Sequence, residues 1–244
     1  MMPGSKGHAF SCKHGMHDLL TLASQDINVM EERKTNPMDD RLKQLSHHQS
    51  TIIGLDECKK SAVCIPLLRK EQGYDILFEV RSGKIKHQPG DICFPGGMVE
   101  PSETSFEAAV RETQEELLLS RDQIEVIGRM DVFLHTGTGL LLSPYAAILH
   151  DYEGTYSEDE VAEVFTVPLD FFLYTEPEVY EMEEQVLLGD DFPFDRILGG
   201  REYRWRKRKE TVYFYQYGHR TIWGLTGKII HSFAKIYAGP DDGR

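Results

Sequence analysis

The sequence predicts an α/β sandwich on a mixed β-sheet. Two observations carry that prediction: strand-like runs are mixed with only a few helices, and they do not follow the regular βαβ alternation of a parallel sheet. A third is the final helical segment, whose apolar residues recur on one face and are suited to covering a sheet. With 244 residues the chain is long enough for one sizeable domain with an extension, or for two small ones. The reading adopted is a single domain with an N-terminal extension.

Residues 1–37 are polar and without periodicity, and are expected to be a poorly ordered extension or sequence upstream of a start at Met38. Residues 38–58 read as a short helix and connector, with Leu42, Leu45, Ile52 and Ile53 among polar residues. The organised part, 59–238, opens with strands at Ala62 to Leu68 and Asp75 to Val80, joined by a turn at Gly73. A loop through Gly83, Pro89 and Gly90 leads to a short strand, Asp91 to Phe94, which Pro95-Gly96-Gly97 should break. A helix is expected from about Thr104 to Leu118. Strands follow at Ile124 to Asp131, Leu140 to Leu149 and Val161 to Val167, and Pro168 starts a short helix. Glu178 to Leu188 and Thr211 to Tyr217 are the last strands. Thr221 to Tyr237, with Ile222, Leu225, Ile229, Phe233 and Ile236 at helical spacing, is the covering helix.

Composition narrows the function. Lys plus Arg total 27 and Asp plus Glu 40, a net charge of −13. That balance disfavours broad affinity for nucleic acid or anionic membranes, but allows a small anionic substrate if metal ions supply local positive charge. No apolar run approaches the roughly 20 residues needed to span a bilayer, and residues 1–49 lack the pattern of a secretory signal. Cys12, Cys58, Cys64 and Cys93 have no paired spacing, which fits reduced thiols and a cytoplasmic setting. Cys12, His14 and His17 lie close together, but three ligands in a polar segment fall short of a structural zinc site.

The chemistry sits on the helix of residues 104–118. Phe106, Ala109, Val110, Thr113 and Leu117 form its buried stripe. Glu112, Glu115 and Glu116 fall elsewhere, at i, i+3 and i+4, where their side chains meet and repel by a few tenths of a kcal/mol per pair. A solvated acidic face would explain three such carboxylates, but divalent cations held between them explain the crowding, because Mg²⁺ and Mn²⁺ prefer hard oxygen ligands. Gly96-Gly97, just upstream, can bring backbone carbonyls close to a metal.

The stretch reads Gly97, five residues, Glu103, seven residues, then Arg111-Glu112-Thr113-Gln114-Glu115-Glu116-Leu117-Leu118-Leu119. It resembles the Nudix box, matching six of seven fixed positions over 23 residues. The resemblance implies that residues 59–238 form a Nudix hydrolase domain with an α/β/α sandwich fold. It implies metal binding by Glu112, Glu115 and Glu116, with Gly96 and Gly97 beside them, and Mg²⁺ or Mn²⁺ as the cofactor. Glu103 and Arg111 would brace the loop and helix by an ion pair. Leu118 stands where the family has glycine and Thr113 where it has an aliphatic residue, which puts the helix exit in doubt.

Residues before the box narrow the resemblance. Leu77-Phe78-Glu79-Val80-Arg81-Ser82, then His87, Gly90 and Phe94-Pro95-Gly96-Gly97, resemble the Leu-Leu-x-x-Arg-Ser, His-x-x-Gly and Phe-Pro-Gly-Gly pattern of the coenzyme A pyrophosphohydrolase branch. Glu160 to Leu169 and Ile222 to Thr226 point the same way. This implies cleavage of coenzyme A or acyl-coenzyme A to 4′-phosphopantetheine and adenosine 3′,5′-bisphosphate. Arg81 and His87 would touch the substrate, Arg81 through a planar fork suited to phosphate oxygens. Glu115 or Glu112 would accept the proton of the attacking water, with Glu160 as the loop-borne alternative to them and Glu163 beside it. ADP-ribose or another nucleoside diphosphate derivative is the competing substrate, and a ligand-sensing domain without catalysis the competing class. Family members often form homodimers. The basic run Arg204, Arg206, Lys207, Arg208 and Lys209 reads either as a phosphate contact or as a guarded strand edge.

Overall fold

The computed structural model describes residues 37–239. Most of the N-terminal extension, with the Cys12, His14 and His17 trio, lies outside the described residues. The chain divides into two compact units, Met1–Thr51 and Ile52–Arg244. Among the described residues of the first, helix α1 spans Pro37–Leu45. It begins near the expected start, and turns follow it rather than further helix.

In the second unit the elements run β1 (Lys59–Arg69), β2 (Tyr74–Arg81), β3 (Ile92–Cys93), β4 (Gly96–Met98), α2 (Ser105–Leu117), β5 (Ile124–Arg129), β6 (Phe133–His135) and β7 (Leu140–Leu149). Then come β8 (Val161–Pro168), α3 (Leu169–Tyr174), β9 (Glu178–Glu184), β10 (Arg208–Tyr217), β11 (Arg220–Ile222) and α4 (Gly224–Ala238). Eight strands form one sheet in the order β3-β2-β1-β7-β5, with β4 on β1, β6 on β7 and β8 on β2. β1 and β7 are parallel, and the other pairings antiparallel, so the sheet is mixed. Strands β9, β10 and β11 make a smaller antiparallel sheet.

Period-two alternation along the central strands explains the sandwich. On β2, Ile76 and Phe78 enter one apolar cluster with Phe172 of α3 and Ile229, Ile230 and Phe233 of α4. Leu77, between them, enters another with Val110 and Leu117 of α2. β7 divides the same way, Ala146 and Ile148 to the first cluster, Ala147 and Leu149 to the second. The sheet is therefore buried on both faces, with α2 on one side and α3 and α4 on the other.

Several expectations need correction. Gly96 to Met98 does not simply end a strand: it forms β4, pairing with Ser61 to Val63 of β1. The strand before it shrinks to Ile92–Cys93, and the one at Glu178 stops at Glu184. Strand β10 starts at Arg208, inside the basic run, because the acidic β9 is its partner. Arg220–Ile222 is a strand rather than helix, and α4 begins at Gly224. Phe106 leaves the expected buried stripe: it is 38% exposed and meets Tyr145 edge-on, with ring centroids 5.8 Å apart. Ala108 takes its place in the core. Among the described residues no helix is long and apolar enough to cross a membrane.

Candidate active site

The site is built where α2 crosses the sheet beside β4. Thr104 caps the helix: its Oγ1 accepts from the Glu107 amide at 3.2 Å, and Glu107 Oε2 accepts from the Thr104 amide at 2.7 Å. This reciprocal pair satisfies donors that an open helix end would leave free. Thr113, on the buried side, is satisfied by donating to the Ala109 carbonyl at 2.7 Å.

At the other end Leu118 has φ 54° and ψ 43°, the left-handed conformation that glycine usually supplies there. The helix thus ends where the family glycine would end it, with a leucine 59% exposed. The loop before β8 then collects the last carbonyls: Thr155 Oγ1 donates to Leu117 O at 2.7 Å and the Ser157 amide to Glu116 O at 2.8 Å. The Ser82 amide donates to the Glu160 carbonyl at 2.8 Å, tying the Arg81-Ser82 strand end to the same loop.

The three glutamates of α2 do not share one environment. Glu115 is 56% exposed on its side chain and accepts from Arg111 Nη1 at 3.1 Å. Glu112 is half-buried and accepts from the same nitrogen at 2.9 Å. Burial raises its carboxyl above the usual range, and Arg111 opposes that rise. Glu116 is 6% exposed, and its Oε2 accepts from the Gly96 amide at 2.8 Å. Burial pushes its pKa up to about 8; the Gly96 amide pulls it down, while the Glu112 and Glu160 carboxylates push it further up. Glu103 accepts from Arg111 Nη2 at 2.8 Å and Nε at 3.1 Å, a bidentate pair linking the loop to the helix.

Close approach to backbone requires glycine at position 96, whereas at position 97 the close neighbour is the end of a side chain. A Cβ on Gly96 would lie 2.4 Å from the Ala62 carbonyl oxygen, and one on Gly97 would lie 2.1 Å from Glu112 Oε1. The Gly97 carbonyl accepts from Ser61 Oγ at 2.7 Å.

One residue of this site escaped the sequence reading. Glu79 on β2 is 1% exposed, and its Oε1 has no hydrogen-bond partner. Burial holds its carboxyl well above the usual range, and the facing Glu116 adds to the rise. The motif leaves this position unspecified, so no pattern marked it. Its signal was the alternation of β2, which puts residue 79 on the same face as Leu77, toward α2.

Arg81 is half-buried, its Nε donating to the His87 carbonyl at 3.2 Å, and its charge acts on Glu79 and Glu116. The His87 side chain is exposed on the following loop. Of the two loop glutamates, Glu160 raises the carboxyls of Glu79, Glu112 and Glu116. Glu163 is instead held by Arg220, at 2.5 and 3.1 Å. The basic run is largely neutralised by β9: Lys207 meets Glu183 at 2.7 Å, Lys209 meets Glu181 at 2.6 Å and Arg208 meets Glu184 at 3.6 Å.

A second group, His135, Glu184 and Glu210, has donor atoms within 4.8 Å of one another. It is a poor metal site. His135 Nδ1 accepts from the Thr138 amide at 3.0 Å, so the neutral ring carries its hydrogen on Nε2, facing Glu210 at 3.4 Å. A metal-binding histidine has the opposite arrangement, donating from its outer nitrogen. The group reads as a bridge from β6 to β9 and β10. Glu210 Oε2 is buried without a hydrogen-bond partner, as Glu79 Oε1 is, but Lys228 already pairs with Glu210 and Arg208 with Glu184, so the carboxylates around Glu116 fit a hard divalent cation better.

The family model described as NUDIX domain matches residues 59–186. The chain belongs to the Nudix family. The Nudix relatives include the peroxisomal coenzyme A diphosphatase NUDT7 of Mus musculus, 38% identical over 134 residues, covering 54% of this chain and 56% of that protein. The chain thus matches little more than half the length of that relative. The Nudix hydrolase NudL of Citrobacter koseri is 33% identical over 181 residues, covering 72% of this chain and 81% of that one. NudL of Photorhabdus laumondii is 30% identical, covering 74% and 86%.

Proposed function

We propose that this Nudix protein is a metal-dependent diphosphate hydrolase acting on coenzyme A or acyl-coenzyme A, with Mg²⁺ or Mn²⁺ as cofactor. The observation that carries the reading is the convergence of Glu112, Glu116 and Glu79 at Gly96-Gly97, next to Arg81 on the strand end of the coenzyme A motif. The similarity to a coenzyme A diphosphatase supports that substrate over ADP-ribose. The net charge of −13 suits a small diphosphate better than a nucleic acid. Cys58, Cys64 and Cys93 are free thiols, which fits a reducing compartment such as the cytoplasm; the mouse relative is named as peroxisomal.

Glu112, Glu115 and Glu116 would hold the divalent ions, with the Gly96-Gly97 backbone alongside. Bound metal screens the diphosphate charge and acidifies the attacking water. Arg81 reaches the phosphate oxygens and helps align the phosphorus with the water, so this side chain works by positioning and charge. His87, on its exposed loop, contacts the outer part of the substrate. A carboxylate accepts the water's proton: Glu115 or Glu112 from the helix, or Glu160 from the loop tied to the end of α2. The products are 4′-phosphopantetheine and adenosine 3′,5′-bisphosphate.

The test compares hydrolysis of coenzyme A, acyl-coenzyme A and ADP-ribose with Mg²⁺ and with Mn²⁺. Coenzyme A and acyl-coenzyme A should both be cleaved, and Glu116→Gln should abolish turnover with the fold intact by circular dichroism. Preferential cleavage of ADP-ribose would reject the substrate, and near-normal activity of Glu116→Gln would reject the site.

A further inference from the structure

We infer that Glu79 is an additional metal ligand, a strand-borne carboxylate that completes the cation site from the sheet side. The inference rests on the divalent-metal reading above and adds a residue to it.

Three features lead to it. Strand β2 alternates, so Leu77, Glu79 and Arg81 share the face that α2 covers, and Leu77 packs there against Leu117. The next residue along that face, Glu79, therefore lies under Glu116. It is 1% exposed and hydrogen-bonds Glu116, but its other neighbours supply little to hold it: register partners Cys93 and Val164, and the nearby Cys64 and Tyr152. Oε1 has no partner at all. A buried polar atom left unpaired is costly, and native structures rarely keep one without a reason.

Charge gives the second line. Glu116 and Glu160 act on Glu79, Glu112 and Glu160 act on Glu116, and Arg81 is the cation set against Glu79 and Glu116. Arg111 is shared among Glu103, Glu112 and Glu115, and Arg81 already donates to the His87 carbonyl, so two guanidiniums do not balance the carboxylates gathered here. A divalent ion is the species that four oxygen donors of this kind recognise, since Mg²⁺ and Mn²⁺ take about six oxygens in a compact shell. Helix α2 offers carboxylates from one side of such an ion. The sheet offers Glu79 from the other, which a site built on the helix alone would leave to water.

The test is Mn²⁺ binding to the full chain, by calorimetry and electron paramagnetic resonance, with thermal unfolding followed with and without Mn²⁺. Glu79→Gln keeps size and removes the charge. It should weaken Mn²⁺ binding on the order of 10- to 100-fold and shrink the rise in Tm that Mn²⁺ produces, while raising the metal-free Tm. Wild-type Mn²⁺ affinity in Glu79→Gln overturns the inference, and Glu79 is then only a buried protonated acid. If Glu79→Gln does not fold, Glu79→Met is titrated by the same criterion. The two readings fail separately: a wild type that binds Mn²⁺ but cleaves no diphosphate rejects the hydrolase, and the Mn²⁺ titration still decides Glu79.

Discussion

At Gly97 the absence of a side chain is what lets a helix carboxylate reach the loop. An added Cβ would collide with Glu112 Oε1 at 2.1 Å, and the clash is with the end of a flexible side chain rather than with backbone. Gly97→Ala should therefore fold with nearly unchanged Tm, because Glu112 swings aside. Its kcat/KM should fall on the order of 10- to 100-fold, the usual effect of displacing a positioned group by about 1 Å. Steady-state kinetics beside a melting curve separates the two; equal kcat/KM would remove Glu112 from the chemistry. The same scale shows why the three adjacent glutamates are not equivalent. Glu115 is solvated and paired, whereas Glu116 is buried and bonded to a backbone amide, and only tertiary packing separates them.

The box helix is closed at both ends by devices the motif does not mention. Its start carries a reciprocal Thr104–Glu107 cap, and its end turns through Leu118 in a left-handed conformation. For an L-residue that conformation costs about 1–2 kcal/mol, and the exposed leucine recovers little of it. Leu118→Gly should relieve the strain and raise stability by about 0.5–1 kcal/mol after the extra freedom of glycine in the unfolded chain is counted. Thermal unfolding should show a Tm about 1–4 °C higher; an unchanged or lower Tm would mean that Leu118 contributes packing that its exposure hides. The loop from Thr155 to Glu160 belongs to this element too. It caps the last carbonyls of α2 and, through Ser82, holds the strand end that carries Arg81.

Across the whole unit, the face opposite the site is closed by α4 on β10. His231 stacks on Tyr213 with ring centroids 3.9 Å apart, and Tyr215 Oη lies 2.8 Å from its Nδ1. Burial, then Lys235, lowers its pKa from the usual value, and Glu176 opposes the shift. The unfolded chain therefore binds a proton that the folded one resists. Stability from this contact is full above the ordinary histidine pKa of about 6.5 and is lost as pH falls through the lowered folded value. Glu79 and Glu116, with raised carboxyls, act in the opposite sense, so the comparison must be between variants. Between pH 7 and 5 the wild-type Tm should drop more than that of His231→Gln, which keeps an acceptor for Tyr215. Parallel pH profiles would show that His231 does not titrate in this range.

By itself the sequence determined the helix, its carboxylates, the glycines beside it, the main strands and the mixed α/β class, because each rests on local spacing or residue type. Tertiary structure decided what spacing cannot express. It exposed Phe106 and buried Glu116, since a helical wheel gives angles but not the shape of the sheet beneath. It paired the basic run with β9, and set Glu163 on Arg220 while leaving Glu160 with the site. It made Gly96 to Met98 a strand, where two glycines read alone as an interruption. Glu79 belongs to the same class. A lone glutamate in an apolar strand carries no pattern, and its meaning came from the partner that the fold set against it, 37 residues along the chain.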